Sequence, residues 1–409
     1  MHFSHRAIPI ALCALLLDTI GFGIVIPVLP QLIVELGDVT FAEATRIAGY
    51  MLVVFALTQF FAAPVMGRLG DRFGRRPVLL ASLTAFTIDY ALMAAAPTIA
   101  WLFLGRAIAG IAGATYGPVG SLIADLTPPE KRGETFGYMG AAFGLGFIIG
   151  PALGGLLGEF GPRVPFYAVV VLGMLNVLAI AFLLPESLAP ENRRPFKWRE
   201  ANVLGSFKPL AAHRIAFPLL AAWFLWQFAH QIYPASWAFW AKLQYGWTEG
   251  IIGATLAVSG LSMAFVQVFL TGRFIRRIGE QRTIVWGLAS GAIGFAAYAF
   301  GPPGWMVFAI IVAVALQGLV FPSMNAVLTQ LVGPSEQGAL QGGVAAMGSL
   351  AAILGPLILT QTLASGAEAG FPGASWALAA VLAFAALAIV WFVVLRQVPE
   401  EPDIAPAAD

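Results

Sequence analysis

The stretch from Gly67 to Pro77, GRLGDRFGRRP, carries five charged residues in a chain whose charged fraction is only 11%. Long apolar segments precede and follow it. Four arginines in a short connection, with glycines and a proline that can open the next helix, are typical of a tight cytoplasmic turn between two membrane helices. The stretch therefore predicts a membrane protein and locates its second and third spans.

The composition indicates the same class and excludes several others. Hydrophobic residues form 59% of the 409 residues, above the share of about 45–50% in soluble domains. The one cysteine, Cys13, lies in the first apolar segment, so neither a disulfide nor a thiolate metal cluster is available. Nucleotide loops, zincin helices and nucleophile elbows are absent from the sequence. We expect no enzyme, no cofactor or metal site and no nucleic-acid partner.

Twelve apolar segments bounded by Gly, Pro and charge follow one another along the chain, and we number them spans 1 to 12. They cover 8–34, 45–67, 77–96, 100–125, 133–158, 164–185, 216–240, 250–272, 283–301, 304–332, 337–362 and 374–396. At about 20 residues per helical crossing, each can span a membrane. We predict an all-helical protein with an N-terminal half (1–185), a cytoplasmic linker (186–215), a C-terminal half (216–396) and a disordered tail (397–409).

Basic residues predict the orientation. The side with both termini, the linker and the loop of the opening stretch holds 18 of the 22 Lys and Arg residues. We call this the basic side. Since cytoplasmic loops carry an excess of Lys and Arg, we expect the basic side to be cytoplasmic in a multi-pass protein of the inner membrane.

The two halves repeat at an offset of 205 residues. The matches are Gly67-Arg68 with Gly272-Arg273, Arg72-x-Gly74 with Arg277-x-Gly279, Gly133 with Gly338, Gly137 with Gly342, and Gly150-Pro151 with Gly355-Pro356. Two parallel six-helix halves with a substrate site near mid-membrane are expected from such a repeat. The second copy is degenerate, with Arg276 at the position of Asp71 and Glu280 at that of Arg75. The two loops should therefore not gate equally.

Four charged residues are expected inside the bilayer, and all four belong to the N-terminal half: Asp18, Asp89, Arg106 and, near the end of span 4, Asp125. Each costs about 2.5–3.5 kcal/mol at a helix centre. A buried carboxylate can exchange a proton near neutral pH, so Asp18 and Asp89 are predicted to couple transport to protons, with Arg106 as a positive partner. The alternatives are structural hydrogen-bonding carboxylates and a fixed counter-ion.

Span 7 is aromatic on one face. On a helical wheel Trp223, Trp226, His230, Tyr233, Trp237 and Trp240 cluster, whereas Phe224, Phe228 and Phe239 lie opposite. This pattern predicts that the Trp, His and Tyr face lines a cavity and that the Phe face contacts lipid. The alternatives are an aromatic belt at the membrane interface, and a helix break at Pro234 that would make the wheel invalid. His230 has no second ligand at helical spacing and is predicted to be a polar pore residue. The substrate-binding candidates are Gln59, Arg106, Trp226, Gln227, His230, Tyr233, Trp237 and Gln267. For Gln59 and Gln267, buried interhelical hydrogen bonds are the alternative explanation.

The pattern Gly-x-x-x-Asp-Arg-x-Gly-Arg-Arg at 67–76 resembles the signature loop of the major facilitator superfamily of transporters. A plain positively charged anchor is the alternative. Gly146-x-x-x-Gly150-Pro151 in span 5 resembles the motif of the antiporters in that superfamily, and a small-residue packing stripe is the alternative. The resemblance implies a gate formed by Gly67, Asp71, Arg72, Arg75, Arg76, Asp125, Gly150 and Pro151. We expect Asp71, Arg75 and Asp125 to form a charge network when the carrier faces outward.

Over nearly its whole length the chain is similar to the tetracycline/proton antiporters of Gram-negative bacteria, through segments such as Leu16-Leu17-Asp18, Asp89-Tyr90 and Ile123-Ala124-Asp125. In that family residues that match Asp18, Asp89 and Arg106 serve coupling and substrate movement. The family's helix 8 histidine and helix 9 aspartate are replaced by Met263 and Gly291. This departure favours an amphipathic or anionic substrate over a cationic metal chelate.

We therefore expect a monomeric, lipid-embedded carrier that exports a small compound in exchange for protons. One alternative is a proton symporter that imports a sugar or an organic acid. The other is a substrate sensor that has lost transport. The intact charges at Asp18, Asp89 and Asp71 argue against the sensor.

Overall fold

The computed structural model describes residues 4–112, 116–128, 131–195, 216–330 and 337–395. Within these ranges the chain is helical and no β-strand occurs. Most of the predicted linker and the whole predicted tail lie outside the described residues.

Sixteen α-helices are described, eight from each half. The first eight are α1 Ser4–Val25, α2 Leu29–Gly37, α3 Phe41–Phe73, α4 Arg75–Ala95, α5 Ile99–Ala112, α6 Tyr116–Leu126, α7 Arg132–Gly158 and α8 Val164–Leu183. The others are α9 Ala216–His230, α10 Ile232–Tyr245, α11 Glu249–Phe265, α12 Thr271–Ala299, α13 Gly304–Ala313, α14 Val320–Gln330, α15 Gln337–Glu368 and α16 Ala374–Ile389. Short π or 3₁₀ segments join or extend some of them at Val266–Leu270, Val314–Leu319 and Val390–Val394.

These helices account for the twelve predicted spans. Among the described residues nine continuous helical runs are long and apolar enough to cross a membrane, and one of them, Glu249–Ala299, holds spans 8 and 9 together. Span 7 is divided into two shorter helices, α9 and α10, and the described parts of span 4 on either side of residues 113–115 are α5 and α6. The all-helical, multi-pass prediction is confirmed.

The sequence repeat has a counterpart in the backbone. Gly74 separates α3 from α4 with φ 107° and ψ 161°, and Gly279, 205 residues later, interrupts α12 with φ 79° and ψ 165°. A positive φ is unfavourable for residues with a Cβ atom, so glycine is required at both turns. The turn between spans 8 and 9 therefore reproduces the turn between spans 2 and 3.

The described residues divide into two compact units. The first contains those within 1–203, 231–261 and 352–375, and the second those within 204–230, 262–351 and 376–409. In the first unit, buried residues of α1, α4, α6, α7 and α8 form a shared core that includes Leu15, Leu83, Leu122, Met139 and Ile180. In the second, Val266, Ala315 and Leu319 form a smaller cluster.

The wheel drawn through span 7 is wrong about its lipid side. Phe228 and Phe239, assigned to lipid, are only 8% and 4% exposed. The helix ends at His230 and a new one begins at Ile232. Pro234 has no N–H to donate to the His230 carbonyl, so one hydrogen bond of a continuous helix cannot form. Faces on the two sides of this break are not related by one wheel.

Candidate functional site

A buried ion pair joins α4 to α5. Asp89 is 0% exposed and Arg106 is 7% exposed. Arg106 Nε donates to Asp89 Oδ1 at 3.3 Å, and its Nη2 pairs with Asp89 Oδ2. The guanidinium therefore meets the carboxylate with two nitrogens, which is the strongest geometry available to such a pair. The predicted positive partner of the coupling carboxylates is thus directly bonded to Asp89.

The surroundings of the pair are aromatic and closely packed. The guanidinium carbon of Arg106 lies 5.8 Å from the ring centroids of both Phe55 and Tyr90, within the range of cation–π attraction. A Cβ atom at Gly105 would collide with the Asp89 carboxylate. Glycine one residue before the arginine therefore allows α4 to approach α5 at the charge, as small residues do at membrane helix interfaces.

Asp18 lies in a separate cleft between α1, α4 and α8. The cleft is narrow and is lined by Leu17, Asp18, Gly21, Leu83, Phe86, Thr87, Tyr90, Val169, Gly173 and Asn176. Tyr90 contributes to this cleft and also packs on Arg106. The two predicted coupling carboxylates are therefore neighbours through one tyrosine, and Asp89 pairs with Arg106.

The structure brings the three predicted gate charges together at the basic side. Arg75 Nη1 lies 2.8 Å from Asp71 Oδ1, and Arg75 Nε lies 3.2 Å from Asp125 Oδ2. The arginine thereby links the end of α3 and the start of α4 to the end of α6. The side chains are 15–31% exposed, so solvent screening leaves each pair with a modest energy.

Glu186 is a member of this network that sequence reasoning missed. Its carboxylate accepts the backbone N–H groups of Arg75 at 2.8 Å and Arg76 at 3.2 Å, at the N-terminus of α4. A helix N-terminus has unpaired donors and a partial positive charge, and Gly74 offers no capping side chain. The sequence signal that could have identified Glu186 is its position as an acidic residue directly after span 6. The Asp71 carbonyl also accepts the N–H of Arg194, which holds the start of the linker to the same turn.

The remaining predicted gate residues of the loop make other contacts. Arg76 Nη2 donates to the carbonyl of Ala181 in α8. Arg72 is exposed and lies 5.0 Å from the ring centroid of Phe73. Gly67 is exposed, and a Cβ added there would meet no atom within 4 Å. Within the loop, Arg76 is therefore hydrogen-bonded to α8, whereas Gly67 and Arg72 are exposed.

The glycine stripe of α7 packs closely on other helices. Cβ atoms at Gly146, Gly150 and Gly154 would collide with α1, and one at Gly155 would collide with the start of α11. Pro151 is buried between these two contacts. The predicted antiporter motif is thus also a packing stripe, and it places α7 in contact with a helix from each sequence half.

Further contacts join the two sequence halves within the first unit, on the side away from the basic one. Arg46 of α3 forms a bidentate ion pair with Glu368 of α15, with both N–O distances 2.6 Å. Glu159 Oε1 accepts the N–H of Gly250 at 3.0 Å. The Thr248 hydroxyl also donates to Glu159, and these two hydrogen bonds lower the pKa of its carboxyl below the usual value. Helix ends from both halves therefore meet here.

The aromatic candidates are packed against their neighbours. Trp226 is buried and stacks on Phe295 at a centroid distance of 5.9 Å. The ring of His230 lies 5.5 Å from the ring of Trp226. A Cβ at Gly291 would collide with the Trp226 indole. Trp237, in the first unit, donates from Nε1 to Thr255 Oγ1 at 2.9 Å.

The other substrate candidates are at least partly accessible. Gln59, Gln227 and Tyr233 are partly buried, and Gln267 is exposed within the π segment Val266–Leu270. Such segments interrupt α-helices frequently at functional sites. Gln59, Arg106, Tyr233 and Trp237 belong to the first unit, and Trp226, Gln227, His230 and Gln267 belong to the second. Groups of three or more His, Cys, Asp or Glu that could hold a metal do not occur among the described residues.

Comparison with known proteins places the chain in a family. The model of the Major Facilitator Superfamily matches residues 11–356 and 232–409. Tetracycline resistance protein, class C, of Escherichia coli is 42% identical over 93% of this chain and 95% of its own. Multidrug resistance protein 2 of Bacillus subtilis is 28% identical over 83% of this chain and 84% of its own.

The fold agrees with this placement. The crystal structure of a D-xylose-proton symporter superposes with a TM-score of 0.77, over 95% of this chain and 98% of the other, at 16% identity. The similarity to the symporter concerns the fold alone, whereas the sequence matches define the relationship. The chain belongs to the major facilitator superfamily of transporters and, within it, to the family of the tetracycline resistance proteins.

Proposed function

We propose that this chain exports a small amphipathic compound in exchange for protons. The observation that carries the proposal is the buried pair of Asp89 and Arg106 next to the cleft of Asp18. Ionisable groups within a span are costly and mark ion and substrate pathways. The relatives named for resistance to tetracycline and to multiple drugs support export of a drug-like compound.

The ion pair can link protonation to helix movement. A proton bound by Asp89 removes the counter-charge of Arg106, and a buried charge without its partner is unfavourable by about 3–5 kcal/mol. The α4–α5 contact then loses the interaction that holds it at Gly105. Binding and release of a proton at Asp89 or Asp18 would thus favour different arrangements of the helices, which is the requirement for alternating access.

The substrate is proposed to bind without an acidic partner in the C-terminal half. Where the related antiporters have an aspartate in helix 9, this chain has Gly291, and the indole of Trp226 fills the space beside it. The aromatic packing around Trp226 favours an amphipathic molecule with an apolar ring system.

The proposed setting is the inner membrane, with a single chain as the transporting unit and both termini and the linker on the cytoplasmic side. We retain 1–185 and 216–396 as the two moving halves, joined by 186–215 and followed by the tail 397–409. In this orientation the Asp71–Arg75–Asp125 network is cytoplasmic and the Arg46–Glu368 pair is periplasmic. Both are present together among the described residues.

Uptake into everted membrane vesicles tests the proposal. Vesicles from an efflux-deficient host are given an acidic lumen, and accumulation of tetracycline and of a panel of neutral and anionic amphipathic compounds is measured. We expect at least one panel compound to accumulate and to lose accumulation when the pH difference is collapsed. The Asp18→Asn/Asp89→Asn variant should bind that compound without accumulating it.

Other outcomes would identify the alternatives. Accumulation only in right-side-out vesicles with an inward proton gradient would show a symporter. Binding without counterflow in proteoliposomes would show a sensor. Accumulation by the double Asn variant, driven by a pH difference alone, would show that the proton site lies elsewhere, and Asp125 would be tested next.

A further inference from the structure

One buried polar group in the Asp18 cleft has an unused hydrogen-bonding atom. Asn176 of α8 is 2% exposed, and its Nδ2 donates to the carbonyl of Ala14 in α1 at 3.0 Å. Its Oδ1 is buried and has no hydrogen-bond partner among the described residues. A buried acceptor without a donor costs about 1–3 kcal/mol, and such groups are rare enough in native structures to require an explanation.

The orientation of this amide is determined by its partner. The atom next to the Ala14 carbonyl must be the nitrogen, because a carbonyl oxygen only accepts. The amide oxygen is therefore directed away from Ala14. Asn176 lines the same cleft as Asp18, so an acceptor of a hydrogen bond is built into the wall of this cleft.

The position of Ala14 brings the amide to the turn that carries Asp18. In an α-helix the carbonyl of residue 14 is the partner of the N–H of residue 18, and a helical side chain leans back over the turn that precedes it. Asn176 and the Asp18 carboxyl group therefore lie over the same turn of α1.

We propose that Asn176 is the positioning residue for the proton carried by Asp18, with its Oδ1 as the acceptor for the protonated carboxyl group. A carboxylate has no proton to donate to an amide oxygen, but a carboxylic acid has one. The amide therefore stabilises the proton-loaded form of Asp18 and binds α8 to α1 in that form. This inference rests on the proposed role of Asp18 in proton coupling.

Other charged and titratable groups also lie near Asp18. On α4 the cleft contains Tyr90, and Asp89 is engaged by Arg106. The part of α7 from Met139 to Gly158 has no titratable residue, and Asp125 of α6 is engaged by Arg75 at the basic side. The remaining polar groups of the cleft are Thr87, whose hydroxyl donates to the Leu83 carbonyl, and Asn176.

Infrared spectroscopy of the purified full-length protein in proteoliposomes tests the inference without any transport measurement. The carbonyl band of the protonated Asp18 side chain is assigned as the band that Asp18→Asn removes, and its intensity is followed as a function of pH. In Asn176→Ala the acceptor is lost and water can reach the carboxylate, so we expect proton affinity to fall about three- to tenfold, the effect of one hydrogen bond. The carbonyl band should also change frequency.

The matched control is Val169→Ala, which enlarges the same cleft without removing a polar atom and should leave the midpoint within about twofold of the wild type. If Asn176→Ala does not fold, Asn176→Leu replaces it, because leucine has a similar volume and no acceptor and should shift the midpoint in the same direction.

A midpoint that is unchanged in the Asn176 variant, or that moves equally in Val169→Ala, overturns the inference and leaves proton coupling by Asp18 intact. A wild-type protein without a titrating Asp18 band overturns both.

Discussion

The indole of Trp226 lies directly over Gly291, so a Cβ atom at position 291 would collide with it. The same indole stacks on Phe295 one turn further along α12. Gly291 is therefore part of an aromatic packing arrangement, and Trp226 fills the space beside it.

Gly291→Ala should displace this indole. Overpacking typically costs about 1–3 kcal/mol, and if Trp226 contacts the substrate, the variant should raise KM for transport with a smaller effect on kcat. The control is Gly348→Ala, since a Cβ at Gly348 would meet no atom within 4 Å. Equal kinetics in the two variants would remove Trp226 from the proposed substrate wall.

The Asp89–Arg106 pair makes a prediction about stability that is separate from transport. Asp89→Asn leaves Arg106 buried without its counter-charge and should lower the free energy of unfolding by about 3–5 kcal/mol. Arg106→Gln should have a similar effect. The double variant should recover a large part of the loss, since no uncompensated charge remains. Additive losses in thermal unfolding, measured in detergent, would show that the two side chains act independently.

The gate network predicts different effects in the two repeats. Asp71→Asn removes one acceptor of Arg75 and should slow turnover severalfold, while stability changes by only about 0.2–1 kcal/mol because the pair is partly solvated. Arg276→Asn, at the matching position in the second repeat, should change turnover less. Transport rates of both variants at saturating substrate decide this, and a wild-type rate in Asp71→Asn would show that the network does not act as a gate.

The pair of Arg46 and Glu368 permits a charge-reversal experiment. Arg46→Glu places two carboxylates opposite each other and should favour separation of α3 from α15 on that side. Combining it with Glu368→Arg restores opposite charges and should restore most of the transport rate. The readout is the transport rate of each variant. If the double variant is no better than Arg46→Glu, the pair has no role in closure.

Glu159 gives the contact between α7 and α11 a pH dependence. Hydrogen bonds from Thr248 and Gly250 lower the pKa of its carboxyl in the folded protein. The stabilisation is therefore complete above the pKa of the unfolded state, about 4.3, and is lost as pH falls through the lower folded value. The difference in melting temperature between wild type and Glu159→Gln should be constant near neutral pH and shrink below about pH 4.3. A pH-independent difference would contradict this account.

Several properties of this protein were determined by the sequence alone. The five charges from Arg68 to Arg76 could only lie outside the hydrocarbon region, so they located the turn and the flanking spans. The repeat at 205 residues predicted a second turn of the same kind, and the positive φ at both Gly74 and Gly279 agrees with it. Such features depend on local hydropathy and backbone sterics, which the order of residues contains directly.

The partners of the functional side chains were decided by the tertiary structure. The sequence placed Asp18, Asp89 and Arg106 in membrane spans, but only the packing of α4 on α5 at Gly105 shows that Arg106 pairs with Asp89. Glu186 at the start of α4, Asn176 beside the turn of Asp18, and Trp226 over Gly291 depend likewise on the rotation and contact of helices far apart in the chain. Composition and periodicity specify which face of a helix is polar, whereas the close packing of side chains from several helices determines which atom it meets.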